Sequence, residues 1–151
     1  MNADNASGMP TAHSSPDDGQ AITWDAAKRL VQDVEAAFGA ADLARIAQGF
    51  TEDAVARFAD FPEMHGRDAI MRFLRARFAR TKDYKLQKTL HVLGGDMLAN
   101  TWDASWQDAQ TGKPMLGRGT EIWRVRDGRI ALWDATFNVW EKGGPPATPV
   151  V

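Results

Sequence analysis

The 151-residue sequence contains no cysteine. This absence excludes disulfides, thiolate nucleophiles and zinc sites with cysteine ligands, and it fits the reducing cytoplasm. The sequence also lacks an apolar run long enough to span a membrane, and its opening residues have neither the basic start nor the apolar stretch of a secretory signal. We therefore expect a cytoplasmic protein that does not bind a membrane.

Clustered positive charge is missing as well. The chain has 18 Lys and Arg residues against 20 Asp and Glu residues, and the basic residues are scattered. Nucleic acid is therefore not expected as a partner. His13, His65 and His91 do not make up a metal-binding set, and the sequence has no phosphate-binding loop, dinucleotide fingerprint or nucleophile elbow. We expect neither a metal nor a cofactor.

The residues that are present suit one compact domain, since 44% of them are apolar. No internal repeat divides the chain. We assign residues 1–21 to a disordered N-terminal tail, residues 22–141 to the domain, and residues 142–151, which are rich in Gly and Pro, to a flexible C-terminal tail.

Helical spacing of apolar residues predicts three helices in the first half of the chain. Thr23 is a suitable N-cap for "WDAAKRLVQDVEAAFG", and Asp42 is a suitable N-cap for the short "LARIAQGF". The segment "AIMRFLRARFAR" places Ile70, Leu74 and Arg77 on one stripe that faces a core. The stretch "AVARFADF", before this third helix, is predicted to be extended.

From Tyr84 onward the apolar residues alternate, and turn signals recur at "GGD", "TGK" and "DG". This pattern predicts four antiparallel strands in a meander. Helices followed by strands indicate an α+β fold, a cone in which a curved antiparallel β-sheet wraps around about three N-terminal helices.

The last two strands carry two carboxylates at equal distances from a turn. Asp127-Gly128 is a strong signal for a two-residue hairpin, and pairing about it sets Glu121 opposite Asp134. Because side chains alternate along a strand, both carboxylates then lie on the face that also holds Trp123.

The two earlier hairpins extend this face into a row of functional side chains. A turn at Thr111-Gly112 sets Trp102 opposite Glu121, and a three-residue "GGD" loop sets Lys88 beside Trp102. The predicted row reads Lys88, Trp102, Glu121, Asp134. On the same face we place Asn100, Trp106 and Asn138, with small residues at 117, 119 and 136 that leave room for a ligand.

Two opposed carboxylates beside a lysine can share protons, which is the requirement for general acid and base catalysis. The catalytic hypothesis makes Asp134 the acid or base, Glu121 its coupled partner and Lys88 their electrostatic partner. The structural alternative is a buried ion triad that only sets strand register, or a row screened by water at the rim.

Aromatic and polar side chains complete the predicted ligand site. Trp102, Trp106 and Trp123 are expected to hold a small apolar or cyclic molecule, together with Asn100 and Asn138. His65 is interpreted either as a proton shuttle at the pocket mouth or as a residue that caps the loop before the third helix.

The opposite face of the sheet is predicted to carry an apolar patch. By the same register it holds Ile122, Trp133, Ala135 and Phe137. Since monomers rarely expose such a patch, we expect a homodimer formed through this outer face.

Two stretches resemble the nuclear transport factor 2-like superfamily, in particular its SnoaL-like branch: "FTEDAVARFADFPEMHGRDAIMRFLRARF" and "GTEIWRVRDGRIALWDATFN". The resemblance covers about residues 22–140. It implies a cone fold, a homodimer and a deep pocket for small apolar molecules. Asp134 is similar in place to the acid/base residue of polyketide cyclases, whereas the only tyrosine, Tyr84, begins a strand and does not resemble the oxyanion-site tyrosine of an isomerase.

The resemblance leaves two functions open. Catalytic relatives include ketosteroid isomerases, polyketide cyclases, dehydratases and epoxide hydrolases, so the first is a cofactor-independent acid/base enzyme. Other relatives have no known catalysis, so the second is a non-catalytic ligand carrier or dimerisation module.

Overall fold

The computed structural model describes residues 21–147, and most of the two expected tails, residues 1–20 and 148–151, lies outside the described residues. Within that range three helices and six strands follow one another. They are α1 (Trp24–Gly39), α2 (Leu43–Gln48), β1 (Phe50–Phe58), β2 (Met64–His65), α3 (Arg67–Phe78), β3 (Thr81–Gly94), β4 (Met97–Asp108), β5 (Pro114–Arg126) and β6 (Arg129–Glu141).

The helices begin where their capping residues predict. The Thr23 hydroxyl accepts the N–H of Ala26 at 3.2 Å, and the Asp42 carboxylate accepts the N–H of Arg45 at 3.0 Å. These bonds satisfy N–H groups that lack partners in the first helical turn. None of the helices between residues 21 and 147 is long and apolar enough to cross a membrane.

The six strands form one curved sheet in the order β2-β1-β6-β5-β4-β3. The meander of β3 to β6 and the α+β class are confirmed. The sheet is mixed rather than purely antiparallel, because β1 pairs with β6 in parallel. The helices cover its concave face, which gives the cone.

The core lies between the helices and the concave face, and it includes an indole that we predicted on the outside. Trp133 is 3% exposed, and its ring centroid lies 6.1 Å from Phe38, 5.8 Å from Phe50 and 5.0 Å from Phe58. Aromatic rings at these separations attract one another in addition to burying apolar area.

A β-bulge in β6 explains why the predicted pairing of β5 with β6 is wrong. Val125 lies opposite Ile130, as predicted, but Arg124 then lies opposite Leu132, so Ala131 is an extra residue. One extra residue moves every later side chain to the other face. Trp133, Ala135 and Phe137 therefore face the core, and Asp134, Thr136 and Asn138 face outward.

The other two hairpins keep the predicted faces by different registers. In β4 and β5, Asn100 lies opposite Glu121 and Trp102 lies opposite Gly119, two residues from the predicted pairing. A shift of two preserves the face. The predicted three-residue loop between β3 and β4 is wrong, because Gly94 pairs with Met97 across a two-residue turn. A bulge at His91 compensates for this difference, so Lys88 still pairs with Trp102.

Candidate functional site

A cavity lies at the centre of the cone. Its volume is about 10 Å³, counted as the space in which the centre of a water molecule fits, which is room for about one water. It is lined by Val34, Phe38, Phe50, Arg77, Tyr84, Leu86, Lys88, Trp102, Glu121, Trp123, Ile130 and Trp133. The lining is apolar except for three charged side chains, the phenol and the indole N–H groups.

A buried ion pair is the main polar feature of this cavity. Lys88 Nζ lies 2.5 Å from Glu121 Oε2, and the two side chains are 3% and 6% exposed. Trp123 Nε1 donates a second hydrogen bond to the same oxygen at 2.9 Å. Lys88 Nζ also donates to Asn100 Oδ1 at 3.2 Å. Both charges are thus held in place by several hydrogen bonds.

Burial lowers the pKa of Lys88. Removal from water disfavours the charged ammonium, and the negative charge of Glu121 acts in the opposite direction. Lys88 Nζ also lies 5.1 Å from the centre of the Trp123 ring, a cation–π contact that favours the ammonium as well. The effect of burial is the larger one, so the ammonium gives up its proton more readily than that of an exposed lysine.

Two buried N–H donors beside the pair have no acceptor within the described part of the chain. They are Trp102 Nε1 and Asn100 Nδ2, and Asn100 is fully buried while Trp102 is 3% exposed. A buried donor without a partner costs free energy, so an acceptor atom beside either of them would be stabilising. Trp102 lines the cavity, and its Nε1 lies on the side of the ring that faces Gly119.

Two glycines in β5 determine where Trp102 lies. A Cβ built on Gly119 would be 2.6 Å from Trp102 Nε1, and one built on Gly117 would be 3.0 Å from the same ring. The indole therefore lies against bare backbone. The sequence analysis predicted that these glycines leave room for a ligand, but the structure fills that room with the Trp102 ring.

Two cavity residues were missed by the sequence analysis. Tyr84 shares the inner face of β3 with Lys88, four residues away, and burial raises its pKa. Arg77 is half-buried, and its guanidinium carbon lies 5.2 Å from the Phe58 ring centre and 5.9 Å from the Tyr84 ring centre. The sequence contains a pattern that indicates each position. Tyr84 and Lys88 are an even number of residues apart and so lie on the same face of β3, and Arg77 lies in the apolar stripe of α3.

The comparison with known families supports the cone. The sequence pattern of the SnoaL-like domain matches residues 31–133, about two thirds of the chain. This chain belongs to the SnoaL-like domain family. No protein of curated function matches it significantly.

Solved structures share the fold of this SnoaL-like domain. A proposed polyketide cyclase from Xanthomonas campestris is 21% identical over 76% of this chain and 91% of its own, with a TM-score of 0.69. An epoxide hydrolase from Mycobacterium tuberculosis is 19% identical over 76% and 84%, with a TM-score of 0.61. A proposed scytalone dehydratase from Novosphingobium aromaticivorans is 14% identical over 83% and 91%, with a TM-score of 0.66. At these identities the likeness shows the fold alone.

Three predicted site residues of the SnoaL-like domain lie away from the cavity. Asp134 is opposite Ile122 on the outer face, and its Oδ2 lies 3.8 Å from Arg57 Nη1. Asn138 is exposed on the same face. The His65 side chain is 71% exposed and its Nε2 lies 2.9 Å from Glu63 Oε1. The bulge accounts for Asp134 and Asn138. His65 lies in the two-residue strand β2 and is outside the cavity lining.

The structure brings the other predicted site residues to the inner face. Four of them line the cavity: Lys88, Trp102, Glu121 and Trp123. Asn100 lies outside the lining, and its Oδ1 accepts a hydrogen bond from Lys88 Nζ. Trp106 is half-buried and packs against Tyr84 at 6.0 Å between ring centres, outside the lining. The predicted row thus keeps its lysine, its indole and one of its two carboxylates.

Proposed function

We propose that this SnoaL-like domain is a small-molecule enzyme that transfers protons without a resident cofactor. The observation that supports this proposal best is the Lys88–Glu121 pair, which is buried in an apolar cone and lines its cavity. Buried charges are costly, and pairs with perturbed proton affinity concentrate at functional sites.

The roles follow from the distances. Glu121 takes a proton from the substrate and returns it, and Lys88 at 2.5 Å stabilises the carboxylate. The free N–H of Trp102 donates to a substrate oxygen, where negative charge grows when a proton leaves a neighbouring carbon. Asp134 has no part in this arrangement.

Such chemistry covers isomerisation, cyclisation, dehydration and epoxide opening, each of which moves a proton on a small molecule. An epoxide hydrolase, a proposed polyketide cyclase and a proposed scytalone dehydratase share the fold. A shared fold does not select one of these reactions, so the proposal names the class and the residues.

A substrate larger than water requires side chains at the cavity to move. Arg77 is the candidate, because it is half-buried and is held by ring contacts with Phe58 and Tyr84. Such cation–π contacts contribute about 0.5–1 kcal/mol at exposed sites, which substrate binding can offset.

Turnover of a panel of cyclic ketones, epoxides and polyketide mimics tests the proposal. Glu121→Gln keeps the shape of the side chain and removes the base, so we expect a loss of about 100-fold or more in kcat. Glu141→Gln is the matched control, because Glu141 also pairs with a lysine, Lys113 at 2.8 Å, but is exposed. Turnover that survives Glu121→Gln unchanged would refute the assigned role.

A second function, a structural or dimerisation module without catalysis, is favoured by the small size of the cavity. About 10 Å³ leaves a ligand little room, and the Lys88–Glu121 pair then only organises the core. Absence of both binding and turnover for every panel member would support this structural function instead.

We also propose a homodimer through the outer face, on a smaller patch than the sequence predicted. Trp133, Ala135 and Phe137 belong to the core. A cross-strand row of Val92, Ala99 and Ile122 remains, with Val92 60% and Ile122 43% exposed. The cytoplasmic location stays a proposal that rests on the composition.

A further inference from the structure

Between residues 21 and 147, Arg77 is a cation at the cavity with no carboxylate within 4.0 Å. Of the other arginines on this segment, Arg67 pairs with Glu52 at 3.6 Å and Arg80 with Asp108 at 2.8 Å, whereas Arg72 and Arg75 are exposed to water. Among the described residues, no acidic side chain lies within 4.0 Å of the Arg77 guanidinium, whose recorded contacts are the Phe58 and Tyr84 rings.

The charge of the cavity lining is therefore positive. Its charged members are Arg77, Lys88 and Glu121, and the Lys88–Glu121 pair is mutually neutralised at 2.5 Å. Arg77 is then the charged member of the lining that lacks a paired carboxylate in the described part of the chain, and the nearby Glu35 carboxylate lies outside the lining, where it accepts the N–H of Lys88 at 2.6 Å. A cavity with low-dielectric walls and one sign of charge attracts ligands of the opposite sign.

We propose that the ligand of this cone is a small carboxylic acid, bound as its carboxylate by Arg77, with its apolar body directed toward the interior of the cone. A guanidinium binds a carboxylate through two parallel hydrogen bonds, a geometry that an ammonium cannot provide. Contacts with the Phe58 and Tyr84 rings keep the guanidinium at the cavity and are weak enough for it to turn toward the ligand.

The ligand also has an acceptor oxygen on the far side from its carboxylate. Trp102 lines the cavity, and its buried Nε1, on the side of the ring toward Gly119, has no acceptor in the described part of the chain. A carbonyl or hydroxyl oxygen on the ligand would satisfy it. The substrate class is thus an apolar oxo or hydroxy acid, which specifies the substrate of the proposed enzyme and rests on that proposal.

Acids and their neutral amides test the inference, because an amide has nearly the shape of the acid without its charge. Isothermal titration compares benzoate with benzamide, naphthoate with naphthamide, and cyclohexanecarboxylate with its amide. We expect the intact protein to bind the acids about tenfold more tightly, as a charge-assisted hydrogen bond predicts. Arg77→Met should abolish this preference.

Arg75→Met is the matched control, since Arg75 is exposed on the same helix and its loss changes the net charge equally. It should keep the preference for acids. Arg77→Lys, which preserves the charge and lacks the planar fork, should keep only part of it. The acid-to-amide ratio is unaffected by a general loss of stability, so a purely structural role of Arg77 would leave it unchanged.

The inference is overturned if the intact protein binds acids and amides equally, or if Arg77→Met retains the preference. Equal binding together with turnover that depends on Glu121 would reject the carboxylate and leave the proposed enzyme intact. If no acid or amide of the panel binds, the inference of a carboxylate ligand fails, and the dependence of turnover on Glu121 decides the proposed enzyme separately.

Discussion

Gly119 lies directly against the indole of Trp102. A Cβ at this position would be 2.6 Å from Trp102 Nε1 and 2.7 Å from the Thr136 carbonyl oxygen, and real Cβ atoms essentially never make contacts this short. Gly119 in β5 therefore determines the position of the Trp102 ring in β4. It also determines the position of the buried Trp102 N–H, which has no acceptor in the described part of the chain.

Gly119→Ala should destabilise the protein because Trp102 and the backbone of β6 would both have to shift. We expect the free energy of unfolding in urea to fall by about 1–3 kcal/mol, the usual effect of overpacking a core. Gly94→Ala is the control, since no atom lies within 4 Å of its built Cβ. Equal effects of the two substitutions would contradict the close contact.

Removal of one member of the buried ion pair should be more damaging than removal of both. Lys88→Met leaves the Glu121 charge buried and should lower the free energy of unfolding by about 3–5 kcal/mol. Lys88→Met with Glu121→Leu should restore much of that loss, as a double-mutant cycle in urea would show. The exposed pair of Lys113 and Glu141 is the control and should show little coupling.

Acid should weaken the loop between β4 and β5 through Asp108. The Asp108 carboxylate accepts hydrogen bonds from the N–H groups of Thr111 and Gln110 and pairs with Arg80. These contacts, of which the Thr111 hydrogen bond has the largest effect, lower the pKa of Asp108 from 3.8 to about 2. A carboxylate with a lowered folded pKa stabilises the fold above pH 3.8 and loses that contribution as the pH falls through about 2.

Asp108→Asn should therefore be less stable than the unchanged protein near pH 6, and the difference should shrink as the pH falls from about 4 to about 2. Urea unfolding followed by tryptophan fluorescence at several pH values measures this. A difference that stays constant over the range would show that Asp108 does not contribute through its charge.

The proposed dimer makes a prediction about the outer face. Ile122→Glu places a charge at one end of the apolar row and should convert a dimer to a monomer in sedimentation velocity. Trp24→Glu removes a side chain that is 48% exposed on α1, on the helical side of the sheet, and should leave the mass unchanged. A monomeric parent protein would contradict the proposal outright.

Local sequence patterns were sufficient to predict the helices and the positions of Lys88 and Glu121 on the inner face. The Thr23 and Asp42 caps are set by residues three positions away, so short-range sequence identifies them. Lys88 and Glu121 reach the inner face because each strand alternates, and the two-residue error in the pairing of β4 with β5 does not change a face.

The bulge at Ala131 was missed, although the sequence contains a sign of it. After Ile130 the apolar residues Trp133, Ala135 and Phe137 alternate with Asp134, Thr136 and Asn138, which is out of phase with Ile130. A change of phase within a strand is the pattern that a bulge produces. The predicted pairing about Asp127-Gly128 assumed a hairpin without a bulge, so it did not contain this change of phase.

The sequence by itself determined the helices, the meander and the alternation that brings a lysine and a glutamate to the interior, because these depend on neighbours within a few residues. Only the tertiary structure decided that Trp133 replaces Asp134 at the core, that Arg77 and Tyr84 join the cavity, and that Trp102 occupies the space over Gly119. These outcomes depend on packing between elements distant in the chain: burying the Trp133 indole against Phe38, Phe50 and Phe58 is more favourable than burying an unpaired carboxylate.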